Sequence, residues 1–233
     1  MKPKPPLDPL PQGDDKVRAV QRLFDTISPR YDLVNRIMTF GLDVAWRRRA
    51  VRELRLPAGS RVLDLACGTG DLCRALRASG YLPIGLDLSY GMLAHARTDA
   101  PLVQADMSCL PVGDGQADGV TCGFALRNVV SLERSFAELG RVVRPGGRIA
   151  LLDASVPDNA VVRAGHAVYF GKVVPVIGGL LSDPAAYAYL PRSMAYLPPP
   201  SEMVAMLREA GFPSARRLQL TGGITQLLVG TRA

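Results

Sequence analysis

The sequence predicts an α/β protein: a mostly parallel sheet of seven strands, helices on both faces, and an antiparallel hairpin strand at the C-terminal end. Three observations carry this. From Arg61 onward, short apolar runs alternate with segments of helical periodicity, the rhythm of parallel strands joined by crossover helices. The first apolar run leads directly into Gly68-Thr69-Gly70, a strand-to-helix turn that lets backbone approach a ligand. The chain closes on two strand-like runs flanking Thr221-Gly222-Gly223, a hairpin signal.

Residues 1–15 are rich in Pro and charge without periodicity and read as a flexible tail. A single domain then covers 16–233. Its first part, 16–56, is a helical cover. Val17, Val20, Leu23, Phe24 and Ile27 follow helical spacing up to Pro29. Leu33, Val34, Ile37, Met38 and Phe40 give a second short helix closed by Gly41. A third, basic helix spans about Val44–Leu54, with Arg47, Arg48, Arg49 and Arg52 on it.

The core, 57–155, opens after Pro57-Ala58-Gly59. Strands are predicted at Arg61–Leu65, Leu82–Asp87, Leu102–Ala105, Gly119–Phe124 and Arg148–Asp153. Helices fall at Leu72–Ala78, from Ser89 (a candidate N-cap) to about Ala96, and at about Leu132–Val143. Arg144-Pro145-Gly146-Gly147-Arg148 reads as the turn into the last of these strands. An insertion at 156–200 breaks the rhythm with Tyr169, Phe170, Tyr187, Tyr189, Tyr196 and many aliphatics; so apolar a segment between late sheet elements suits a substrate cover. The remainder, 201–233, is a helix at Glu202–Ala210 and the hairpin of Ala215–Leu220 with Ile224–Gly230.

Composition narrows the class. With 233 residues, 48% of them hydrophobic and 21% charged, the chain has ample core for one domain and is not broadly disordered. The longest apolar run, Val173–Leu181, is interrupted by Pro and Gly and is too short by itself to span a bilayer. The N-terminus lacks the apolar core of a signal peptide, so a cytoplasmic location is expected. The four cysteines, Cys67, Cys73, Cys109 and Cys122, have no metal or disulfide spacing and read as reduced thiols, with no metal site expected. The net charge of +7 comes from 28 basic residues, of which only Lys2, Lys4, Lys16 and Lys172 are lysines. Such an arginine skew reflects coding composition at least in part, while its field favours anionic surfaces.

The chemistry concentrates at the ends of the predicted strands. Val62-Leu63-Asp64-Leu65-Ala66-Cys67-Gly68-Thr69-Gly70-Asp71 lacks the third glycine of a dinucleotide fingerprint, where Cys73 stands. Acids beside the loop disfavour a pyrophosphate and favour an ammonium or sulfonium group. Asp87, 17 residues after Gly70, ends its strand where a carboxylate can accept both hydroxyls of a ribose. Asp106 and Met107 offer an acceptor and an apolar side chain to an adenine. Each feature alone has a plainer reading: a tight turn for Gly-x-Gly, a helix-capping acid for Asp87 or Asp106. As an ordered set they resemble the class I S-adenosylmethionine-dependent methyltransferases, whose Rossmann-like fold the resemblance implies.

A narrower resemblance lies outside that half. Phe24-Asp25-x-Ile27, Tyr31-Asp32-x-x-Asn35, Phe40-Gly41-Leu42 and Trp46-Arg47-Arg48 look like the N-terminal signature of the quinone C-methyltransferases of menaquinone and ubiquinone synthesis. So do Gly123-Phe124-Ala125-Leu126-Arg127-Asn128-Val129, Pro175-x-Ile177-Gly178, Tyr187-x-Tyr189-Leu190, Ser193 and Pro198. The matches extend over about residues 20–231 and are nearest to the demethylmenaquinone branch. Two positions depart from the pattern: Asp153-Ala154-Ser155 replaces Glu-Phe-Ser, and Leu228 replaces a histidine in the final strand.

The resemblance implies transfer of a methyl group from S-adenosyl-L-methionine to a ring carbon of a prenylated quinol. The cofactor site it implies comprises Asp64, Ala66, Cys67, Gly68, Thr69, Gly70, Asp87, Leu88, Met92, Asp106, Met107 and Gly123. A phenol ionises near pH 10, so the site must favour the phenolate or remove its proton during reaction. Arg127 is expected to favour phenolate, Asn128 to orient the hydroxyl or a water, and Tyr31 and Asp153 to be polar partners, with no base assigned. For Arg127 a structural salt bridge is the plainer alternative. His166 opens the apolar insertion, where it is read as a surface residue with contact to substrate as the alternative. The arginine run at Arg47, Arg48 and Arg49 reads either as a solvated helix face or, since a lipophilic quinol partner implies visits to a membrane surface, as the basic contacts to it; a homodimer stays open. Nucleic acid is not expected, since no aromatic tetrad is present to receive a flipped base. A methyltransferase for another small aromatic, a non-catalytic S-adenosylmethionine-binding protein and, more remotely, a nicotinamide oxidoreductase are the competing readings.

Overall fold

The computed structural model describes residues 12–181, 183, 189 and 192–233. Tyr187 and Leu190, two positions of the late motif, lie outside the described residues, as do residues 1–11 of the tail. The sheet is the predicted one. Its seven strands run β3-β2-β1-β4-β5-β7-β6: β1 Arg61–Leu65, β2 Leu82–Asp87, β3 Leu102–Gln104, β4 Ala117–Gly123, β5 Val143–Ala154, β6 Arg216–Leu220 and β7 Thr225–Thr231. β1 to β5 pair in parallel, and β7 enters antiparallel between β5 and β6. The chain reverses its order of strand addition between β1 and β4, so a crevice opens there at the carboxyl ends of the strands.

β5 begins five residues earlier than the sequence predicts. Val143 pairs with Ala117, the register then shifts, and Gly119 pairs with Arg148. Pro145 to Gly147 are therefore a bulge inside the strand, with Gly146 in the left-handed region at φ 74°.

One face of the sheet packs on α6 (Leu132–Val142) and α9 (Pro200–Glu209), burying Phe136, Leu139, Met203, Leu207 and Phe212 with Leu151 and Leu228. Leu228, the departure in the final strand, is thus an ordinary core residue paired opposite Leu151. The other face carries α3 (Leu42–Leu54) and α4 (Asp71–Ala78) over Trp46, Ala50, Leu54, Leu72 and Leu76.

A third apolar cluster lies above the strand ends. It joins α1 (Gly13–Ile27), α2 (Tyr31–Met38) and the late insertion, which is helical: α7 (Ala160–Val168), one π-helical turn over Tyr169–Val173 and α8 (Val174–Leu181). Gly13 to Asp15, expected in the tail, form the first turn of α1, where Asp14 and Asp15 suit the helix N-terminus. α5 (Tyr90–Ala94) has Ser89 as its N-cap, accepting from Met92 N at 3.0 Å, and ends before Ala96 because His95 caps it.

Helix α7, the π turn and α8 form one continuous stretch of 22 residues, by length and composition enough to cross a membrane. The nine-residue run alone does not show this, because the helix extends it backward through alanines and valines that polar residues interrupt.

The closest helix contact is at Gly140 of α6, where a Cβ would come within 2.2 Å of the Ala210 carbonyl oxygen at the end of α9. The fold requires glycine there. Gly140→Ala is expected to cost about 2 kcal/mol or more, since overpacking forces the helices apart. Urea unfolding with an unaltered slope and a lowered midpoint checks it.

Candidate active site

β1 delivers the chain to a loop that only small or left-handed residues can follow. Ala66 has φ 51° and Gly68 φ 55°, and Gly70 at φ 86° caps α4. A non-glycine residue held at positive φ is a local cost concentrated at binding sites. The loop is tied to the neighbouring strand: Cys67 N donates to the Leu86 carbonyl at 3.0 Å, and Gly68 N donates to Asp87 Oδ2 at 2.8 Å. Asp87 Oδ1 accepts from Ser89 N at 2.8 Å. Burial pushes the Asp87 carboxyl up, while these backbone donors pull it down. Each carboxylate oxygen retains acceptor capacity beyond its one backbone donor.

A cavity of about 190 Å³ lies over this loop. Ala66, Cys67, Gly68, Thr69, Asp87, Leu88, Met92, Asp106, Met107 and Gly123 all line it. Asp106 does so with Oδ1 held by Ser108 N and Oγ, both at 2.8 Å.

Asp64 and Gly70 line neither cavity described here. Asp64 is fully buried behind the loop, accepting from Thr121 Oγ1 at 2.8 Å and Cys73 Sγ at 3.3 Å. It brackets β1 to β4 and α4. Gly70 is required by packing, since a Cβ would come within 2.7 Å of Thr98 Cγ2. Both are expected at the cofactor; here Asp64 braces the loop from behind and Gly70 turns it into α4.

The roof of this cavity comes from α1, through Val17, Val20 and Phe24, residues that the sequence pattern places only in a core. Polar contacts fasten the helical cover to the strand ends. Asp25 Oδ1 accepts from Ser89 Oγ at 2.5 Å and Gly91 N at 2.9 Å. Asp32 Oδ1 accepts from Thr69 Oγ1 at 2.5 Å. Lys16 Nζ donates to the Val129 carbonyl at 2.6 Å and lies 3.5 Å above the Tyr196 ring; burial lowers its pKa to about 8.

A second, larger cavity of about 380 Å³ adjoins the first. Its wall is mostly apolar, with Met38, Phe40, Trp46, Tyr169, Phe170 and Val174 prominent, and Tyr31, Arg47 and Phe124 line both cavities. Ala154 lines it too, so the small residue in place of phenylalanine leaves space where the family pattern would fill it.

Arg127 and Asn128 sit on a 3₁₀ turn just past β4, beyond Phe124 at φ 62°. They divide between the cavities: Arg127 lines the second and Asn128 the first. Arg127 is buried and ion-paired with Asp153, whose Oδ2 also accepts from Arg127 N at 3.2 Å. Asp153 is fully buried and lines neither cavity. It holds Arg127 and does not itself face the cavities. Asn128 Oδ1 accepts from the Tyr189 hydroxyl at 3.3 Å. Burial raises the Tyr31 phenol, so it remains a protonated hydroxyl near neutral pH.

Two of the arginines differ from their sequence reading. Arg47 is buried, paired with Asp43 and, at 3.2 Å, with Asp71; it belongs to the wall between the cavities and not to a basic surface. Arg49 is paired with Glu53 at 2.9 Å, which leaves Arg48 as the exposed member of the run. His166, for which surface and substrate contact are the two sequence readings, lines the second cavity and stacks on Phe170 with centroids 5.1 Å apart. Burial lowers its pKa from 6.5, so its imidazole is mainly neutral at pH 7.

The fold and the loop together define a methyltransferase of the α/β class. Solved structures agree on the fold. A methyltransferase solved with the Trm112 activator of Haloferax volcanii aligns at TM-score 0.67 and 19% identity, covering 90% of this chain and 97% of that one. An S-adenosylmethionine-dependent methyltransferase from Thermotoga maritima aligns at TM-score 0.65 and 18% identity, covering 91% and 99%.

The sequence matches the ubiE/COQ5 methyltransferase family over residues 12–232. It is 43% identical to the demethylmenaquinone methyltransferase of Thermus thermophilus, over 90% of this chain and all of that one. It is 40% identical to the ubiquinone/menaquinone biosynthesis C-methyltransferase UbiE of Syntrophotalea carbinolica, over 91% and 93%. The chain belongs to the ubiE/COQ5 methyltransferase family, and its methyl donor is S-adenosylmethionine.

The first cavity fits that donor: a loop of left-handed residues with exposed backbone, an acid at the end of β2 with spare acceptor capacity, and Asp106 beside Met107.

Two outcomes are expected. A Cβ at Gly91 would come within 2.8 Å of Asp25 Cα, so Gly91→Ala should push α1 off the loop. S-adenosylhomocysteine binding should weaken by about tenfold, the equivalent of one lost hydrogen bond to a charged group, and trypsin should cut early at Lys16 or Arg18. Calorimetry and limited proteolysis read both. Burial raises the Asp64 pKa from 3.8 to about 7. The folded state therefore binds the extra proton between those values, and stability falls as pH rises through that window. Unfolding free energies from urea titrations at pH 5 and pH 8 should show wild type losing about 2 to 3 kcal/mol relative to Asp64→Asn.

Proposed function

We propose that this chain methylates a ring carbon of a lipid-tailed quinol, with demethylmenaquinol converted to menaquinol. The observation that carries this is the pairing of cavities: a polar one suited to the methyl donor, and beside it a larger apolar one whose polar groups gather at the shared wall. An apolar cavity of that size suits a naphthoquinol ring and the first part of a prenyl tail. The relatives' names supply the quinone class.

S-adenosylmethionine, when bound, supplies an electrophilic methyl group on sulfur. The protein's share is alignment and charge. Tyr31, Arg47 and Phe124, which line both cavities, set the approach of the ring. Arg127, fixed from behind by Asp153, favours the phenolate whose resonance places charge on the ortho carbon. Asn128 orients the hydroxyl or a water, and Tyr31 donates a hydrogen bond. The ring carbon gains the methyl group and gives up its hydrogen as a proton. His166, neutral and in the same cavity, is the proton acceptor that the geometry offers. Because a prenylated quinol resides in the bilayer, the enzyme works from the cytoplasm at the inner membrane surface.

Incubation with methyl-labelled donor and a short-chain demethylmenaquinol should transfer label to the quinol. Tight donor binding without transfer would contradict the reading. Truncating Arg127 alone leaves the Asp153 carboxylate buried and unpaired, a cost of roughly 3–5 kcal/mol, so the informative variant removes both charges. Arg127→Met with Asp153→Asn should keep S-adenosylhomocysteine affinity within about twofold and lower kcat by about 10²–10³, the usual loss for one charge-stabilising donor. An unchanged kcat would remove Arg127 from the chemistry.

A further inference from the structure

The late helix is apolar on two sides. Its inner side is used: Val174 is buried, Tyr169 donates its hydroxyl to the Met38 carbonyl at 2.7 Å, and Phe170 and Ile177 pack in the same cluster as Val34 and Met38 of α2. Its outer side faces solvent with Val161 at 81%, Val168 at 55%, Val176 at 60% and Leu180 at 80% exposure. These positions recur at 7-, 8- and 4-residue intervals and make one stripe along the helix. Most of the helix lies outside the protein interior. A helix that buries one apolar side in the protein and turns a second to water leaves that second side without a partner.

The patch does not end with the helix. α2, packed beside α8, exposes Leu33 and Ile37, and the loop after it exposes Phe40, whose ring lies 5.8 Å from that of Tyr169. Contiguous apolar surface of this kind marks an interaction site.

Charge identifies the partner. Across Ala160–Leu181 the charged residues are Arg163 and Lys172, with no acid. On the adjoining elements Arg30 donates to the Leu181 carbonyl at 3.0 Å, Arg36 faces Asp43 and Asp71 at 3.6 and 3.9 Å, and Asp32 is turned inward on Thr69. An apolar face with cations and no acids along its main helix matches an anionic lipid surface.

The second cavity reaches this same face. Phe40, Leu42 and Val162 line the cavity and are also 78%, 38% and 38% exposed. They form its rim.

We infer that the outer side of Ala160–Leu181, with the exposed side of α2 and Phe40, docks on an anionic bilayer, and that the substrate cavity opens through this docking face. The helix lies in the plane of the interface, since its inner side is committed to α2 and the cavity. A lipid-tailed substrate then enters between Phe40, Leu42 and Val162 with its tail still in the bilayer. The docking face stands on the exposed surface alone; the entry route rests on the quinol reading. The basic contacts move from Arg47–Arg49, where the sequence places them, to Lys172 and Arg163.

The test uses the full chain and vesicles of phosphatidylcholine with or without phosphatidylglycerol. Wild type should float with the phosphatidylglycerol vesicles. Val168→Glu with Leu180→Glu, both exposed and outside the cavities, should lower the partition coefficient by about tenfold or more and leave S-adenosylhomocysteine binding unchanged. Lys172→Gln should reduce the preference for anionic lipid. Methylation of a long-tailed quinol in those vesicles should fall with the partition, while turnover of a soluble short-tailed quinol stays constant. Absence of wild-type vesicle binding, binding insensitive to the two glutamates, or pairing of two copies through this face without lipid would each overturn the docking face. Failure to methylate either quinol while flotation behaves as described overturns the substrate reading and leaves the docking face standing.

Discussion

A guanidinium buried at the end of a parallel sheet must have a fixed partner, and in this protein Asp153 is that partner. The pair joins the end of β5 to the turn after β4. Ala154 N closes on Asp153 Oδ1 at 2.7 Å, so the carboxylate is surrounded by donors. Desolvation makes such a pair a poor source of stability but a good means of holding one charge in one place. Arg127 thereby lines the apolar cavity without the freedom of a surface arginine. The strained Phe124 and the division of Arg127 and Asn128 between adjacent cavities follow from the same turn.

The second constraint is that a small α/β sheet offers a crevice but no enclosure. The helical cover supplies it. Asp25, Asp32 and Lys16 each reach the strand-end loops, so the roof of the donor cavity is attached at three separate points. The contacts are made to loop atoms that also border the cavity, such as Thr69 and Val129. Occupation of the cavity and order in the cover are therefore linked: whatever fixes the loop fixes α1, and whatever displaces α1 opens the cavity to water. Enclosure of the second cavity is shared between α2 and the late helix, which brings that cavity beside the exposed apolar side of the helix.

The cofactor half was legible because its chemistry is local. Gly68, Asp87, Asp106 and Met107 stand at strand ends that short apolar runs reveal, and strand ends in such sheets converge. Asp64 carried the same local signal for a different reason: an acid in β1 is needed to bracket Thr121 and Cys73. No pattern in a single sequence separates an acid that faces the ligand from one that faces the scaffold. Asp25, Asp32 and Lys16 were not legible as site residues, because their partners lie 66, 37 and 113 residues away. Asp25 and Asp32 stand in the sequence only as members of the N-terminal motif, with nothing to say what they hold. Arg47 looked like part of a solvated run, since helical spacing tells which residues share a side but not that Asp71, from another helix, waits opposite. The extent of the late helix escapes a count of unbroken apolar residues, because its apolar character is spread over two sides.

The central claim is electrostatic: Arg127, held by Asp153, makes the ring hydroxyl ionise more readily inside the cavity than in water. A naphthol that cannot be oxidised to a quinone reports this directly through its ultraviolet absorption, titrated in the presence of S-adenosylhomocysteine. The account predicts that the bound naphthol becomes naphtholate at a pH at least about one unit below that of the free compound, the equivalent of about 1.4 kcal/mol of charge stabilisation. The shift should vanish in the variant that lacks both charges, Arg127→Met with Asp153→Asn. A bound naphthol that ionises at the same pH as in water, or a shift that survives removal of the pair, would contradict it.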